Sequence, residues 1–571
     1  MGRALLFLVS FLSISSTALA ATKYCPLLGP VFPAPTGLSN SPAFSAAKAN
    51  ITDTLDKTIQ AARTSSAPSS IFDANSTSFA LEIFSPSDPN PLFHYYYTSP
   101  STANATSGVR TIDENTVFRI GSASKLWTVF LFLIAAGGEA RFSDPVAKYV
   151  PELRSAVVDL SRNATKRWDE IDFVRWEDVT IGELASQLSG ITRDSIGAFP
   201  QLPESEIPPC GAVAQCNRAQ FFNGLLESHP VVPTSSTPIY SNAAFQILAY
   251  ALESITNQTY RSLLEKHIIE PLGLSRSSYS PPDDQYGIIP GDAASSWWST
   301  DLGDETPAGG LYSSAKDMST LGRAILNSTL LPPALTRRWM KPASHTSSLT
   351  YAVGAPWEIF SFQEQGRVID LYTKEGDVGN YSAMLALSPD HNVGFTILAA
   401  GVDKVASLSD VVASAIIPAL EQAGKEQADK TFGGTYSSSG DSKLNSSITI
   451  TTDGGPGLKV ERWISNSTDM FELIMPLVGA PQLSDVSVRL YPTGLKSPSQ
   501  VSFRAVIQSL SSSSSSIGPF TRSCSTWETV DTFHYGNVGV DEFVFQLDQT
   551  TGEAVSVSPR ALRVSLSKTS T

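Results

Sequence analysis

Residues 117–125 read Val-Phe-Arg-Ile-Gly-Ser-Ala-Ser-Lys, and an apolar run without helix breakers follows at 126–136. The apolar start of the first segment predicts a strand, and the long run predicts a buried helix. Ser122 therefore stands at a strand-to-helix junction, where the positive end of the helix dipole and free N–H groups surround its hydroxyl. Residues three apart share one helix face, so the ammonium of Lys125 can reach that hydroxyl.

Ser122 and Lys125 together suit nucleophilic catalysis. A serine hydroxyl is a weak nucleophile near neutral pH and needs a base close by. A lysine acts as that base when burial and neighbouring cations lower its pKa. The same Ser-x-x-Lys spacing recurs at Ser45, Ser313 and Ser565. We expect the first two on surface helices and the third in the tail, which leaves Ser122 as the candidate nucleophile.

Two further segments supply groups that such a centre would use. Tyr240-Ser241-Asn242 precedes a predicted helix; its phenol can relay a proton, and its amide can hold Lys125 or the substrate. Lys374-Glu375-Gly376 ends a predicted strand, where the lysine adds positive charge and the glycine allows close approach of a substrate. Taken singly, each has an ordinary structural explanation, as a packed tyrosine with a helix cap or as an exposed lysine.

The first 420 residues place strands near both ends and helices between them. This order predicts an α/β (α+β) layer structure whose antiparallel sheet is built from sequence-distant strands and flanked by helices. The predicted strands are 78–84, 92–97, 117–120, 367–373, 383–388 and 394–399, and the predicted helices are 46–62, 126–136, 180–187, 243–254, 316–326 and 411–420.

A polar, charged stretch at 422–430 marks the predicted domain boundary. Beyond it, short strand-like segments alternate with Gly, Pro, Asp and Ser turns, which predicts an all-β C-terminal domain. The serine run at 511–516 is of low complexity and is expected to be a mobile loop. The predicted strands are 447–451, 471–475, 486–490, 501–506 and 542–547.

Ser-x-x-Lys, Tyr-x-Asn and Lys-x-Gly, in this order, resemble the class C β-lactamase family and its relatives, which include penicillin-binding proteins, D-aminopeptidases and serine esterases. Four further segments extend the resemblance over roughly residues 79–420: 118–122, 189–190, 270–274 and 308–317. With the targeting segment and the β-rich tail, the chain looks like the fungal secreted β-lactamase-like proteins. The resemblance implies a β-lactamase/transpeptidase-like fold at 21–425, with an N-terminal arm, and a β-rich domain at 431–571.

The resemblance also implies a set of site residues. The acyl group would be carried by Ser122, and the oxyanion hole would be formed by the N–H groups of Ser122 and Asp377. The implied catalytic residues are Ser122, Lys125 and Tyr240, and the implied substrate-binding residues are Asn242, Lys374, Glu375, Gly376 and Asp377. Lactamases of the family usually carry Thr or Ser where this chain has Glu375. This departure favours esterase or D-peptidase activity over β-lactam hydrolysis.

The N-terminus predicts export. Arg3, an apolar core at 5–12 and the small residues of Ala18-Leu19-Ala20 are typical of a signal peptide at 1–20, cleaved before Ala21. The apolar core is too short to span a bilayer. Asn-x-Ser/Thr sequons predict N-glycosylation at Asn50, Asn75, Asn104, Asn163, Asn257, Asn327, Asn445 and Asn466. A ninth sequon, Asn380, is the one least expected to carry a glycan, because it would crowd the cleft beside Lys374.

Four cysteines in an exported chain favour disulfides. Cys210 and Cys216 are close enough in sequence to bridge locally, in which case Cys25 would pair with Cys524; four cysteines allow three connectivities. No metal or cofactor is expected, because the six histidines have no ligand spacing.

The composition and motifs narrow the function. A net charge of −14 argues against a nucleic-acid surface, and the mature chain is expected to be soluble. The sequence lacks a Gly-x-Ser-x-Gly elbow. The partner is expected to be a small-molecule ester, amide or lactam. The alternatives are a non-catalytic secreted binding protein on the same scaffold and a biosynthetic acyltransferase.

Overall fold

The computed structural model describes residues 24–64, 70–162, 170–194, 210, 215–364, 366–438, 444–511 and 524–569. The predicted signal peptide, the sequon at Asn163 and residues 512–516 of the serine run lie outside these ranges. The described residues form two compact units. The larger comprises 32–364 and 368–427, and the smaller comprises 24–31, 366–367 and 428–569.

Helices and strands are numbered here in chain order. The helices are α1 (Pro42–Thr64), α2 (Pro100–Ala103), α3 (Ser124–Ala135), α4 (Pro151–Arg162), α5 (Ile181–Ala185), α6 (Arg218–Glu227), α7 (Ala243–Thr256), α8 (Tyr260–Leu264), α9 (Glu270–Leu272), α10 (Thr306–Gly309), α11 (Ala315–Leu326), α12 (Pro333–Trp339), α13 (Ala406–Phe432) and α14 (Met470–Ile474). The strands of the larger unit are β1 (Ser78–Phe84), β2 (Phe93–Tyr97), β3 (Val117–Arg119), β4 (Tyr312–Ser314), β5 (Ser344–His345), β6 (Tyr351–Val353), β7 (Glu358–Glu364), β8 (Arg367–Val378), β9 (Tyr381–Ser388) and β10 (Val393–Ala400).

The larger unit is built on a sheet with the strand order β2-β1-β10-β9-β8-β7-β6-β5. The central pairs β1/β10, β10/β9 and β9/β8 are antiparallel. β1, β9 and β10 are buried along their whole length, because helices cover both faces of the sheet. One face packs on α1 and α13, and the other packs on α3, α7 and α11. The predicted antiparallel sheet flanked by helices is confirmed.

A second sheet, of two strands, leads directly to Ser122. β3 pairs with β4, with Phe118 opposite Ser313. A 3-10 turn, Gly121–Ala123, then leads into α3, whose residues Ser124–Leu133 are all buried. The prediction of a surface helix for Ser313 is wrong: this residue is fully buried on β4, where its pairing with β3 outweighs the helical pattern that starts two residues later.

The helix predicted at 411–420 extends further than expected, because α13 continues through the polar stretch at 422–430 to Phe432. The stretch contains Gln, Glu, Ala and Lys, which are strong helix formers. Within it, Ala423 and Ala428 are buried, as is Phe432 at the end of the helix. Polar composition therefore indicated an exposed helix face here rather than the end of the helix.

The smaller unit contains a closed β-barrel. Its strands are β11 (Gly434–Ser437), β12 (Ser447–Thr451), β13 (Leu458–Ser465), β14 (Thr468–Asp469), β15 (Val486–Ser497), β16 (Gln500–Ser509), β17 (His534–Tyr535), β18 (Val538–Gly539), β19 (Glu542–Leu547), β20 (Ala554–Pro559) and β21 (Leu566–Lys568). The order β12-β11-β21-β20-β19-β16-β15-β13 closes through β13 and β12. Packed aromatic side chains, including Phe432, Phe503 and Phe545, occupy its core.

This unit confirms the predicted all-β C-terminal domain but corrects one of its elements. Residues 471–475 were expected to form a strand, and Met470–Ile474 is instead the short helix α14. The Asp469 side chain accepts a hydrogen bond from Phe471 N and caps this helix, and Glu472 lies in its first turn, where the helix dipole favours an acid.

Disulfides join Cys25 to Cys524 and Cys210 to Cys216, which is the pairing favoured by the sequence. The predicted sequons within the described residues, from Asn50 to Asn466, are exposed. Among the described residues, no helix combines the length and apolar character needed to cross a membrane.

Candidate active site

Ser122 Oγ is the centre of a hydrogen-bond cluster. Lys125 Nζ donates to it at 3.0 Å, and Tyr240 OH donates to it at 2.6 Å. The lysine comes from the first turn of α3, and the tyrosine comes from the loop that leads into α7. The fold therefore brings Tyr240 to Ser122, which lies 118 residues away in the sequence, on the same hydroxyl that Lys125 contacts. This is the geometry expected of a nucleophile with a base and a proton relay within reach.

Lys125 is fully buried. Its ammonium also donates to Asn242 Oδ1 and to the backbone oxygen of Ala308, each at 2.7 Å. Burial lowers the pKa of Lys125, the nearby Tyr240 opposes this effect, and the positive charge of Lys374 lowers the pKa further. A lysine in this setting gives up a proton more readily than a lysine in water.

Tyr240 lies close to two lysine ammonium groups. Its ring is 4.9 Å from Lys125 Nζ and 5.6 Å from Lys374 Nζ. Burial raises the pKa of the phenol, but the charges of Lys125 and Lys374 outweigh burial and bring the pKa below its ordinary value. The phenolate form is therefore more accessible than in free tyrosine, which suits a group that accepts and returns protons.

Lys374 has a partner that the sequence motifs did not indicate. Its ammonium forms an ion pair with Glu358, at the start of β7, and donates to the backbone oxygen of Glu375 at 2.7 Å. Burial works against the charge of Lys374, but the Glu358 carboxylate outweighs it and raises the pKa above its ordinary value. The role of Glu358 depends on the packing of β7 beside β8, for which the sequence carries no local signal.

Asn242 links Lys125 to a second unpredicted residue. Its Oδ1 accepts from Lys125, and its Nδ2 donates to Asp194 Oδ1 at 2.8 Å. Of the two tasks suggested for this amide, holding Lys125 or holding the substrate, the described contacts show the first. In the sequence, the Ser189-Gly190 dipeptide was the one feature near Asp194 that pointed to the family resemblance.

Two glycines let the backbone of β8 approach Ser122. A Cβ on Gly376 would lie 2.2 Å from the Ile120 oxygen and 2.6 Å from Ser122 N. A Cβ on Gly121, whose φ is +50°, would lie 2.6 Å from Asp377 N. Side chains at these positions would collide with backbone, so glycine is required for the turn at Ser122 to lie against Asp377.

Ser122, Asn242 and Asp377 line a cleft of about 800 Å³, a volume within the range of small-molecule sites. Glu305 also lines it, and burial raises the pKa of this carboxyl, with the charge of Asp194 adding to the effect. At the cleft wall, Lys404 Nζ lies 3.2 Å from Asp377 Oδ1. The described residues that line the cleft therefore include several carboxylic acids and one lysine, Lys404, which is already paired with Asp377.

Glu375 is the substrate-binding candidate whose side chain faces away from the lysine of its own motif. Along β8, Lys374 is opposite Leu385, which packs on the α3 side, whereas Glu375 is opposite Met384, which packs on the α1 side. Burial raises the pKa of Glu375, and the nearby carboxylates of Asp377 and Glu358 add to this.

An antiparallel sheet between two helical layers, with a Ser–Lys–Tyr cluster where β3 meets α3, defines a class of protein: the fold shared by serine β-lactamases and penicillin-binding proteins. The β-lactamase family profile matches residues 92–416. The chain belongs to the β-lactamase family, whose members are serine hydrolases. A second profile, described as a β-lactamase-like C-terminal domain, matches residues 424–570.

Three individual proteins illustrate what the chain is similar to. The chain is 30% identical to a β-lactamase-like protein of Arthroderma benhamiae, over 98% of both chains. It is 25% identical to a D-alanyl-D-alanine-carboxypeptidase/endopeptidase of Escherichia coli, over 49% of this chain and 70% of that one. Among solved structures, a β-lactamase/D-alanine carboxypeptidase from Yersinia pestis matches with a TM-score of 0.47 and 17% identity, over 66% of this chain and 99% of that one.

Proposed function

We propose that this protein is a secreted serine hydrolase that cleaves ester or amide bonds through an acyl-enzyme on Ser122. The observation that carries the proposal is the position of Ser122 Oγ within hydrogen-bond distance of both Lys125 Nζ and Tyr240 OH. A scaffold that only bound ligands would have no need for all three groups together, nor for the lowered pKa values of Lys125 and Tyr240.

In the proposed reaction, the Lys125–Tyr240 pair takes the proton of Ser122 as Oγ attacks the substrate carbonyl. The N–H groups of Ser122 and Asp377 stabilise the oxyanion of the tetrahedral intermediate, which is typically worth about 2.7–4 kcal/mol per donor. Tyr240 then protonates the departing alcohol or amine, and the C–O or C–N bond breaks. Water then attacks the acyl-enzyme and gives a proton to the Lys125–Tyr240 pair. The bond between Ser122 Oγ and the acyl carbon breaks, and the pair returns the proton to Ser122.

The acidic groups of the cleft support a neutral substrate over an anionic one. Glu305 lines the cleft, and the one lining lysine, Lys404, is paired with Asp377. A carboxylate on the substrate would meet these acids without an unpaired cation to receive it. Esterase or D-peptidase activity is accordingly favoured over the hydrolysis of carboxylate-bearing β-lactams.

The remaining parts of the chain fit an exported enzyme. We propose that residues 1–20 are a cleaved signal peptide, that 21–425 form the hydrolase domain with its N-terminal arm, and that 431–571 form the β-rich C-terminal domain. The two disulfides and the exposed sequons support a secretory route.

A fluorophosphonate probe tests the proposal directly. We expect the probe to label Ser122, as shown by peptide mapping of the adduct. Ser122→Ala should lose labelling and ester turnover while its melting temperature stays close to that of the wild type. Ser45→Ala is a matched control, since Ser45 has the same Ser-x-x-Lys spacing but lies exposed on α1. An adduct on another serine, or turnover by Ser122→Ala, would refute the proposal.

A further inference from the structure

We propose that Asp194 is a positioning residue: it fixes the orientation of the Asn242 amide so that the amide oxygen always faces Lys125. The inference rests on the proposed function for its meaning, because it assigns a task within the same centre. It adds to that centre a residue that belongs to none of the three motifs.

The orientation follows from the chemistry of the two neighbours. The Lys125 ammonium only donates hydrogen bonds, and the Asp194 carboxylate only accepts them. Asn242 presents its oxygen to the first at 2.7 Å and its nitrogen to the second at 2.8 Å. A flipped amide would place an NH₂ group against the ammonium and a carbonyl against the carboxylate. With Asp194 present, both hydrogen bonds form only when the Asn242 oxygen faces Lys125 and its nitrogen faces Asp194.

Asp194 is itself held in place by the segment to which it belongs. Residues 192–194 are tied to the Tyr240-Ser241-Asn242 motif by Asn242 N donating to the Arg193 oxygen at 2.7 Å and Ser241 Oγ donating to the Thr192 oxygen at 2.8 Å. The Arg193 guanidinium lies 4.6 Å from the centre of the Tyr240 ring. The carboxylate is therefore presented to Asn242 by backbone bonds rather than by a free loop.

The fixed amide matters because Lys125 depends on it. Its ammonium has three donors, which point to Ser122, Asn242 and the Ala308 oxygen. If the Asn242 amide could flip, its oxygen would not always face Lys125. The ammonium would then lose one of its three hydrogen-bond acceptors for part of the time. Lys125 would then be held less well against Ser122, and its charged form would be less stable.

The experiment measures the pKa of Lys125 without relying on turnover. Protein labelled with [ε-¹³C]lysine is titrated by NMR, with Lys125→Met identifying the resonance. Asp194→Ala should lower the pKa of Lys125 by about one unit, since a hydrogen bond to a charged group is lost for much of the time. Asp194→Asn should lower it distinctly less, because the new amide oxygen can still accept from Asn242 Nδ2.

The control separates hydrogen bonding from charge. Asp301 also lines the cleft, but its Oδ1 accepts from Gly303 N, so Asp301→Asn removes an acid from the cleft without touching Asn242. This variant should leave the pKa of Lys125 within about 0.3 units of the wild type. If Asp194→Ala has the wild-type pKa, or if Asp194→Asn shifts it as far as Asp194→Ala does, the proposal is wrong.

A kinetic readout accompanies the titration. In Asp194→Ala, the rate constant for fluorophosphonate labelling of Ser122 should fall about tenfold or more at neutral pH, and in Asp194→Asn by less. Should Asp194→Ala prove unfolded by circular dichroism, the comparison of Asp194→Asn with Asp301→Asn decides: a shift larger than that of Asp301→Asn but below about one unit supports the proposal, and either no larger shift or a shift of one unit or more contradicts it. Absence of wild-type labelling would count against the proposed function and leave the NMR result valid.

Discussion

The buried Lys374 forms an ion pair with the partly buried Glu358 beside the Tyr240 ring, with 2.5 Å between Nζ and Oε1. The same carboxylate accepts from Glu375 N through its other oxygen at 2.8 Å. One acidic side chain therefore holds both the lysine of the third motif and the backbone of β8 that follows it. The ion pair keeps Lys374 charged next to the Tyr240 ring, and this positive charge lowers the pKa of the phenol.

The first prediction concerns the alkaline limb of the pH–activity profile. Glu358 raises the pKa of Lys374, so the lysine keeps its proton to higher pH in the wild type. Glu358→Gln removes the carboxylate, and burial then lowers the pKa of Lys374. As the pH rises, Lys374 loses its charge earlier, and Tyr240 loses the cation that lowers its own pKa. The alkaline limb of kcat/KM should move to lower pH by about one unit.

Thermal unfolding provides the companion measurement. Removing one partner of a buried ion pair typically costs about 3–5 kcal/mol, so Glu358→Gln should also melt well below the wild type. Asp53→Asn is the control, because Asp53 pairs with Lys57 on the exposed surface of α1 and its loss should barely change the melting temperature. An unshifted alkaline limb in a folded Glu358→Gln protein would contradict the coupling between Lys374 and Tyr240.

The second prediction is that Lys125 and Tyr240 act as one unit. Both are hydrogen-bonded to Ser122 Oγ, so each contributes little to kcat once the other has been removed. Lys125→Ala and Tyr240→Phe should each lower kcat by about 10²–10⁴-fold, and the double variant should be little worse than the poorer single one. Steady-state kinetics on a neutral ester measure all three. Near-native turnover by Tyr240→Phe would remove the tyrosine from the proton path.

The third prediction tests the close approach of β8 to the nucleophile. Gly376→Ala would drive a methyl group to 2.2 Å from the Ile120 oxygen, whereas Gly309→Ala would add one at 3.9 Å from Ser122 N, an ordinary contact. Gly376→Ala should therefore abolish probe labelling of Ser122 and lower the melting temperature, and Gly309→Ala should do neither to a comparable degree. Equal labelling in the two variants would show that β8 does not shape the oxyanion site.

The fourth prediction concerns export. The mature chain should begin at or near Ala21, carry N-linked glycans and contain no free thiol. Intact-mass analysis before and after deglycosylation and alkylation measures all three, and non-reducing peptide mapping should recover Cys25 linked to Cys524. Asn380 should stay unmodified, because its neighbour Gly379 lines the cleft. Two alkylated cysteines without prior reduction would contradict the disulfide assignment.

The sequence was most informative where the structure is local. Turn residues bound β1 at both ends, and its limits at Ser78 and Phe84 were predicted to the residue. The order of the three motifs was enough to predict that Ser122, Lys125 and Tyr240 lie together.

The contacts that the sequence did not indicate all depend on tertiary packing. Glu358 meets Lys374 because β7 lies beside β8, and Asp194 meets Asn242 because a loop is tied to the start of α7. Neither acid belongs to a pattern that repeats along the chain. The extension of α13 past residue 422 was missed for a related reason, since a polar helix face and a linker have similar composition.

The last prediction concerns Glu375, whose side chain lies on the opposite face of β8 from Lys374, two residues before Asp377, which lines the cleft. Lys374 and Lys404 offset the charge of Glu375, and Lys404 is already paired with Asp377. An anionic substrate that enters the cleft therefore meets unfavourable charge, and about 1.4 kcal/mol of such a penalty is tenfold in rate. Wild-type protein should turn over neutral esters or amides faster than penicillins. Glu375→Thr should shift the ratio of kcat/KM towards penicillins by about threefold at most, since the half-buried side chain lies on the other face of β8 and its charge acts on the cleft only through space.

Glu375→Gln separates charge from hydrogen bonding in this test. It removes the negative charge but adds no hydroxyl, so a charge effect predicts that the Gln and Thr variants shift the ratio equally. A shift in Glu375→Thr alone would instead assign the effect to the hydroxyl that lactamases of the family carry at this position. Both substrates are measured on the wild type and on both variants, at one ionic strength, because exposed charges are screened by salt. If neither variant changes the ratio, or if the wild type already prefers penicillins, Glu375 does not set the charge preference of the cleft.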